Sequence, residues 1–501
     1  MTAVQPVAAV AAEHGHTFGG ELLEPGDAGY EDARKVHNGL VDKRPAVIAR
    51  CSDASDVANA IRLTQRLGLE VAVRGGGHNV AGRATIDGGV MIDLAPMREI
   101  RVAPGKRRVR AQGGVTWAEL NRETQRHGLA VTGGVVSSTG IAGLTLGGGF
   151  GWLMGKHGLA LDNLCSVELV DAEGKIIQTS RDEEPDLFWA VRGGGGNFGV
   201  ATCFEYELHP VGPQVMGGLI AHPFERARDV LEVYRDSTAS LADEHMLFAT
   251  LAHAPDGSGV KLAAMVTSHC GPFAVAEKAT LPLRRFGPPI VDTVGPMSYC
   301  DLNGMLDAGY PKGAFNYWKS TFLRRLSDDA IEAMIACFAR CPSPMAQLLI
   351  EHVHGASTRV GVEETAFPHR AEGYNFLVLS QWTDPATTDR CIAWARDLPA
   401  DGTVRRVGPI RELPRRRRTG RCGAGRLRPE LPASAPAQDK VRPEQFLPHE
   451  SEHPAIGLTM ATRRLRRCGY RGRRRRPALS ATPGRPGCRA PRSRRRRCRT
   501  R

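Results

Sequence analysis

The apolar positions of this chain recur at two spacings, which predict helices and strands. Residues 53–66 carry apolar side chains at helical spacing, behind a candidate N-terminal cap at Asp53 or Ser55. A second helix is predicted to begin after Thr116 and to end near His127. Short apolar runs predict strands at Ala46–Ala49, Leu69–Val73, Gly89–Leu94 and Val109–Gln112, and a β-hairpin over Val167–Ile177.

Beyond residue 213 glycine becomes scarcer and longer elements are predicted. Helices are expected near 224–237 and 328–337. Strands are expected near 248–252, 261–267, 346–353 and 375–381. This mixture of helices and strands predicts an α+β domain with a mainly antiparallel sheet.

Changes in composition predict four segments along the 501 residues. An approach segment rich in turn-forming residues spans 1–43, and a domain with alternating strands and helices spans 44–213. The α+β domain spans 214–404, and an arginine-rich tail spans 405–501. The chain is long enough for two or three domains, each with its own hydrophobic core.

The charge of the chain is divided between two unlike parts. The whole chain has a formal net charge of +14, but residues 405–501 contain 29 arginines and one lysine against six acidic residues. The tail therefore carries +24, and residues 1–404 carry −10. With only two aromatic residues, the tail lacks the apolar surface for a core and is predicted to be disordered.

Composition disfavours several classes of protein. A membrane-spanning helix is not expected, because no run of 18 or more apolar residues occurs. The N-terminus lacks the basic start and long apolar stretch of a secretory signal, so a cytoplasmic location is expected. None of the 12 cysteines forms a C-x-x-C pair with zinc spacing, and no metal site is predicted.

One stretch combines a strand, a charged residue, three glycines and a histidine. The predicted strand that ends at Val73 is followed by Arg74, Gly75, Gly76, Gly77, His78 and Asn79. Consecutive glycines have no Cβ atoms, so their backbone can approach a ligand closely and turn its N–H groups toward an anion. A histidine on such a turn would be held against that ligand. The same pattern is compatible with a glycine-rich hairpin that carries a solvent-exposed histidine.

Two further glycine-rich segments follow. Residues 139–151 mix β-branched residues with glycines, which predicts a loop lying along an extended ligand instead of a helix or a strand. Residues 194–199 match the pattern G-x-G-x-x-G, but a dinucleotide-binding turn needs a strand before it and a helix after it. Here a predicted helix precedes the glycines and a predicted strand at 200–208 follows, so that interpretation is rejected.

Taken in order, these segments resemble the berberine-bridge-enzyme-like oxidoreductases of the vanillyl-alcohol-oxidase group of flavoproteins. The resemblance covers about residues 17–400 and is carried by the motifs at 74–79, 139–149, 158–163 and 186–199. It implies a two-lobed PCMH-type FAD-binding domain, followed by a substrate domain whose sheet covers the flavin. It also implies that His78 is bonded covalently to the 8α-methyl carbon of FAD. The cofactor-binding residues that it implies are Arg74, Gly75, Gly76, Gly77, His78, Asn79, Gly82, Thr139, Gly140, Gly143, Gly147, Gly149, Asp162, Gly199 and Val200.

The same resemblance implies an oxidase acting on a small molecule. Hydride would pass from an alcohol, amine or sugar-type carbon to the flavin, and the electrons would then pass to O2. A side chain of the substrate domain would take the accompanying proton. The candidates are Tyr374, Gln381, Glu351 and His354. A flavin dehydrogenase of the same fold, using another electron acceptor, is the alternative.

The tail departs from the family's pattern. The family's final motifs, expected after residue 397, are absent and arginine runs stand in their place. Codons compatible with 409–414, 438–443 and 449–454, if read one nucleotide later, can restore three of those motifs in order. We therefore interpret the tail as a frame-shifted translation and expect it to impair folding or oxidation. A functional basic tail that binds nucleic acid or an acidic membrane is disfavoured, because lysine and stacking aromatics are nearly absent.

Overall fold

The computed structural model describes residues 18–397, and every element below lies in that range. The arginine-rich tail, its predicted disorder and the frame-shift hypothesis fall outside the described residues. Within 18–397, no helix has both the length and the apolar character needed to cross a bilayer.

The first lobe is a four-stranded sheet with one long helix packed against it. Its elements are β1 (Glu21–Leu23), α1 (Tyr30–Ala33), β2 (Val47–Arg50), α2 (Ala54–Leu67), β3 (Val71–Arg74) and β4 (Val90–Asp93). The strand order is β1-β2-β4-β3, and β4 runs parallel to both of its neighbours. Asp53, one of the two predicted caps, accepts hydrogen bonds from the backbone N–H groups of Ser55 and Asp56 and so begins α2.

The second lobe is built on a five-stranded antiparallel sheet. Its elements are β5 (Ile100–Ala103), β6 (Arg108–Gln112), α3 (Trp117–Gln125), β7 (Leu129–Ala130), α4 (Ile141–Gly147), α5 (Met154–His157), β8 (Leu164–Val170), β9 (Ile176–Ser180), α6 (Pro185–Val191), β10 (Val200–Glu207) and β11 (His209–Pro210). The strand order is β5-β6-β10-β8-β9. Thr116 and Glu119 form a capping box that begins α3.

The prediction of a continuous loop over 139–151 was wrong, because residues 141–147 form the helix α4. Ile141, Leu144 and Leu146 of α4 are buried in the core of the second lobe, beside Trp117. Burial of this apolar face overrides the low helix propensity of the glycines and β-branched residues. The glycines of α4 lie instead on its exposed side.

The last part of the described chain is an eight-stranded antiparallel sheet with helices packed against it. Its elements are β12 (Gln214–Pro223), α7 (Ala227–Thr238), β13 (His245–His253), β14 (Lys261–His269), α8 (Phe273–Arg285), β15 (Val291–Asp292), β16 (Gly295–Ser298), α9 (Tyr299–Gly304), β17 (Phe315–Leu323), α10 (Asp328–Ala339), β18 (Gln347–Val353), α11 (Ala356–Arg359), β19 (Gly373–Trp382) and α12 (Thr388–Arg396). The strand order is β15-β12-β14-β13-β18-β19-β17, and β16 also pairs with β12. The predicted α+β class with a mainly antiparallel sheet is confirmed.

The two faces of this eight-stranded sheet pack against different parts of the molecule. One face forms a core with the helices α7, α8, α10 and α12. The other face packs against residues 150–161 of the second lobe and against α9. The orientation of each strand side chain therefore decides whether it faces the helices or the N-terminal half. We call the second of these the lobe-facing side.

Candidate functional site

Arg74 supports the glycine turn from behind. Its guanidinium makes two hydrogen bonds to the carboxylate of Asp93, at 2.8 and 2.5 Å, and donates to the carbonyls of Ala33 and Lys35. The side chain is buried, and these partners are all protein groups. Arg74, which the sequence placed among the cofactor-binding residues, thus fixes the end of β3 where the turn begins.

The turn itself presents free backbone donors. Within residues 18–397, the N–H groups of residues 75–78 donate no hydrogen bond to the protein. Asn79 closes the turn, because its side-chain oxygen accepts a bond of 3.1 Å from the N–H of Arg83. Clustered free N–H groups on a glycine turn are an anion-binding arrangement. This cradle fits the pyrophosphate of FAD.

The first two glycine segments touch each other. A Cβ atom on Gly76 would lie 2.3 Å from the backbone nitrogen of Gly140, and a Cβ on Gly140 would lie 2.3 Å from that of Gly76. Only glycine at both positions permits this approach. The structure therefore brings the predicted residues 75–79 and 139–140 into one site.

The side chain of His78 lies at the junction of these segments. Its ring stacks on that of His37, with centroids 4.0 Å apart and planes 21° apart. The hydroxyl of Ser138 lies 2.9 Å from Nε2 of His78, and the hydroxyl of Thr139 lies 3.3 Å from Nδ1. Burial, reinforced by the neighbouring basic groups of His37 and Lys312, lowers the pKa of His78 to about 3. The imidazole is therefore neutral at physiological pH.

An open strip of backbone continues from this junction along α4. Gly143 and Gly147 are exposed, and a Cβ atom on either would meet no atom of residues 18–397 within 4 Å beyond the backbone of α4 itself. The N–H groups of Gly193 and Gly195 both donate to the carbonyl of Leu146 at 3.0 Å, so the third glycine segment also reaches α4. The strip has room for an extended molecule, which fits a dinucleotide cofactor.

Four predicted cofactor residues have packing roles inside the protein. A Cβ on Gly82 would lie 2.6 Å from the side chain of Val41, one on Gly149 would lie 2.3 Å from Ala160, and one on Gly199 would lie 2.6 Å from the carbonyl of Val170. Val200 pairs with Val170 between β10 and β8. The structure does not bring these four side-chain positions into the junction at His78.

Asp162 links the two halves of the described chain. Its carboxylate makes two hydrogen bonds of 2.8 Å to the guanidinium of Arg370, and it accepts a third from the N–H of Leu159. Both charged side chains are almost fully buried. Arg370 follows α11 in the chain, so this ion pair joins the second lobe to the part of the chain that carries the eight-stranded sheet.

The catalytic candidates divide between the two faces of the eight-stranded sheet. Glu351 and Gln381 lie on the lobe-facing side, in register with residues of that core. Tyr374 lies on the opposite side, within the helix-facing core, and its hydroxyl is 2.8 Å from that of Thr238. His354 lies just beyond β18, with its ring stacked on that of His352. The structure thus places Glu351 and Gln381 on the same face of the sheet and Tyr374 on the other, but Gln381 lies six residues along β19 from Asn375, the register partner of Glu351.

Glu351 is a buried carboxyl group with an unused acceptor. Its Oε2 accepts a hydrogen bond of 2.7 Å from the side-chain amide of Asn375, whereas Oε1 has no partner among residues 18–397. The amide oxygen of Asn375 is likewise buried without a partner. Burial raises the pKa of Glu351 to about 8, and the bond from Asn375 opposes that shift. Two neighbouring free acceptors call for a ligand that donates hydrogen bonds.

A chain of amide groups, which the sequence did not reveal, connects the His78 turn to Gln381. The side chain of Asn38 donates to the carbonyl of Val80 at 2.8 Å and to that of Asn316 at 2.9 Å. The side-chain oxygen of Asn316 then accepts a bond of 3.2 Å from the amide of Gln381. Consecutive hydrogen bonds therefore connect the turn that bears the histidine to the paired strands β17 and β19.

Comparisons with known proteins agree with this geometry. Residues 45–180 match a family model described as an FAD binding domain. The chain is 32% identical over 395 residues to (R)-6-hydroxynicotine oxidase of Paenarthrobacter nicotinovorans, which covers 76% of this chain and 84% of that protein. Its fold is similar to the crystal structure of 6-hydroxy-D-nicotine oxidase from Arthrobacter nicotinovorans, with a TM-score of 0.69, 31% identity, and coverage of 76% of this chain and 85% of that one.

A plant structure shares the fold at lower identity. The BBE-like 1 protein of Physcomitrella patens superposes with a TM-score of 0.69 and 20% identity, covering 78% of this chain and 87% of that one. The site described above, the matched FAD-binding domain and the 32% identical relative support a single conclusion. This chain belongs to the berberine-bridge-enzyme-like FAD-linked oxidoreductases with a PCMH-type FAD-binding domain, and its cofactor is FAD.

Proposed function

We propose that this protein is an oxidase that takes hydride from a carbon bearing a hydroxyl or amine group in a small molecule, and passes the electrons to O2. Bound FAD supplies the hydride acceptor. FAD binding is assigned to residues 44–213 and substrate binding to residues 214–404, in a cytoplasmic enzyme with no nucleic-acid or membrane partner. The observation that carries the proposal is the buried carboxyl of Glu351, whose free oxygen lies on the lobe-facing side of the substrate sheet.

Glu351 is proposed to be the proton acceptor. Removal of hydride from an alcohol or amine leaves a proton on oxygen or nitrogen, and a nearby base must take it. A carboxyl group whose pKa is about 8 is suited to this exchange near neutral pH. The free oxygen of Asn375 would accept a second hydrogen bond from the substrate. Gln381 lies about 20 Å from Glu351 along the sheet, so it is proposed to position β19 beside the His78 turn through Asn316 and not to contact the atoms that Glu351 deprotonates.

An amine is favoured over a sugar among the possible substrates. A protonated amine can donate to both free acceptors at once, and its charge would be matched by the Glu351 carboxylate. The name of the relative (R)-6-hydroxynicotine oxidase supports the same choice. Oxygen uptake should therefore be measured with a panel of secondary amines, primary alcohols and oligosaccharides, alongside reduction of an artificial dye. Dye reduction without oxygen uptake would favour the dehydrogenase alternative and contradict the oxidase.

Covalent attachment of FAD through His78 is part of the proposal. It is supported by the neutral imidazole, which has a lone pair available, and by the free N–H groups of the adjacent turn. A covalent bond would prevent loss of the cofactor.

Acid precipitation tests this attachment. The wild-type pellet is expected to retain yellow flavin, and His78→Ala is expected to release all of it while still binding FAD reversibly. His127→Ala, at an exposed histidine, is the control and should match the wild type. A colourless wild-type pellet from protein that binds FAD would contradict covalent attachment.

A substitution at Gly143 tests whether the dinucleotide lies along α4. Alanine is favoured over glycine within a helix by about 0.5–1 kcal/mol, and a methyl group here meets no protein atom within 4 Å. Gly143→Ala should therefore leave the cofactor-free protein at least as stable as before. In the His78→Ala background, where binding is reversible, we expect FAD affinity to fall about tenfold, or ~1.4 kcal/mol.

Fluorescence titration measures that affinity. Gly105→Ala is the matched control, because Gly105 also has open space around it and lies away from α4. An unchanged affinity in Gly143→Ala would show that the cofactor does not contact this strip.

A further inference from the structure

Three side chains surround the ring of His78, and the proposed function gives two of them, His37 and Ser138, no role. His37 covers one face of the imidazole, and the hydroxyls of Ser138 and Thr139 contact its two nitrogens. His37 is 5% exposed, and its Nε2 is buried without a hydrogen-bond partner in the part of the chain that the structure describes. The ring is thus contacted on a face and at both nitrogens by residues from two separate segments.

We propose that His37, Ser138 and Thr139 form an imidazole clamp that positions His78 for covalent attachment to FAD. The inference rests on the attachment proposed above and concerns how this chain achieves it. In this role His37, Ser138 and Thr139 are positioning residues, because they act through His78.

The chemistry of attachment explains why both nitrogens need partners. A bond forms between one ring nitrogen and the 8α-carbon, while a C–H bond at that carbon and the N–H bond of the neutral imidazole break. The two electrons and two protons released finally reduce O2 to hydrogen peroxide. One nitrogen must present its lone pair while the other loses a proton. A hydroxyl can donate or accept, so Ser138 and Thr139 can serve either tautomer and can receive that proton.

The backbone of His37 explains how the stacked ring is held. Its N–H donates to the carbonyl of Gly77 at 3.0 Å, and its carbonyl accepts from the N–H of Gly313 at 2.9 Å. His37 is therefore anchored both to the turn that bears His78 and to the segment that leads into β17. Because its ring nitrogen Nε2 makes no hydrogen bond, its contribution is the flat surface that restricts rotation of His78.

The test follows the rate of attachment and not the activity of the finished enzyme. The full chain is produced under riboflavin limitation, incubated with FAD, and quenched with acid at intervals, and the flavin retained in the pellet is measured. His37→Ala and the double variant Ser138→Ala/Thr139→Val are each expected to slow attachment by about 10–100-fold. His37→Phe keeps a flat ring and is expected to stay within about twofold of the wild type.

A second stacked histidine pair provides the matched control. His157 stacks on His209 with centroids 3.9 Å apart and planes 9° apart, and its Nε2 also lacks a hydrogen-bond partner within the described range. His157→Phe should attach FAD at the wild-type rate. Reversible FAD binding and thermal melting, measured for every variant, identify any that fail to fold.

The outcomes separate this inference from the proposed function. A wild-type rate in His37→Ala or in the double variant overturns the imidazole clamp while leaving attachment through His78 intact. A tenfold slower rate of FAD attachment in His37→Phe would contradict stacking as the role of His37. A wild-type protein that binds FAD but never retains it in acid removes the covalent bond itself, and the clamp with it.

Discussion

Replacement of Glu351 by glutamine is expected to lower kcat by about 10²–10⁴-fold, the usual contribution of a positioned general base. Glutamine has nearly the same shape, and its carbonyl oxygen can still accept the hydrogen bond from Asn375. FAD binding and the flavin retained in acid should be unchanged, because Glu351 lies on the substrate sheet and not in the glycine turns. The variant therefore separates proton transfer from cofactor binding.

The pH dependence of the wild type should report the same carboxyl group. Glu351 must be ionised to accept a proton, and its pKa is raised to about 8 by burial. We expect kcat/KM to rise with pH and to level off above about pH 8, whereas the residual activity of Glu351→Gln should lack this rise. Glu372→Gln is the control, since Glu372 is an exposed carboxylate at the start of the neighbouring strand. A Glu351→Gln variant with near-wild-type kcat would exclude Glu351 as the base.

The same substitution, which lowers kcat, is expected to raise the free energy of unfolding at alkaline pH. The folded state holds the Glu351 proton up to about pH 8, whereas the unfolded chain releases it near the ordinary pKa of 4.5. Between these values the unfolded state binds fewer protons, so the free energy of unfolding falls as pH rises. Glutamine cannot ionise, and Glu351→Gln is therefore expected to remove this loss and to be the more stable form at pH 8. Such a gain in stability with a loss of activity is typical of a functional buried charge.

The second large effect is expected at the ion pair between Asp162 and Arg370. Both side chains are less than 10% exposed, and they share two hydrogen bonds of 2.8 Å. Asp162→Asn or Arg370→Met leaves one buried charge without its partner, which costs about 3–5 kcal/mol in comparable cases. We expect the free energy of unfolding to fall by that amount in denaturant titrations.

Two further variants test whether the loss of stability comes from leaving a buried charge unpaired. The double variant Asp162→Leu/Arg370→Met removes both charges and is expected to lose much less stability than either single change. Arg101→Met breaks the exposed ion pair with Glu99 and is expected to cost about 0–1 kcal/mol. Equal losses in the free energy of unfolding for Asp162→Asn and Arg101→Met would contradict a linking role for Asp162.

The elements of the fold were largely predictable because their signals are local. The cap at Asp53, the capping box at Thr116 and the alternation of the long strands each depend on residues a few positions apart. The glycine segment 139–151 was the exception, since α4 forms only because its apolar face is buried by partners distant in sequence. Local propensity does not contain that information.

The residues of the candidate site were likewise predictable only where their signal is local in the sequence. The motif around His78 was visible as consecutive letters, but His37, Ser138 and Asn38 carried no pattern that distinguished them from ordinary loop residues. They became candidates because folding brings them within hydrogen-bonding or stacking distance of the turn or its neighbours. Similarly, Tyr374 and Asn375 are adjacent in sequence but face opposite cores.

The sequence by itself determined the family, the FAD cofactor, the order of the glycine turns and the α+β class, because these depend on short motifs and on periodicity. Only the tertiary structure decided which face of the substrate sheet is turned toward the lobes, and so favoured Glu351 over Tyr374. It also decided that Arg74 and Asp162 are used in ion pairs with other side chains. The physical reason is that side-chain alternation fixes two faces for every strand, whereas the partner that buries each face comes from distant parts of the chain.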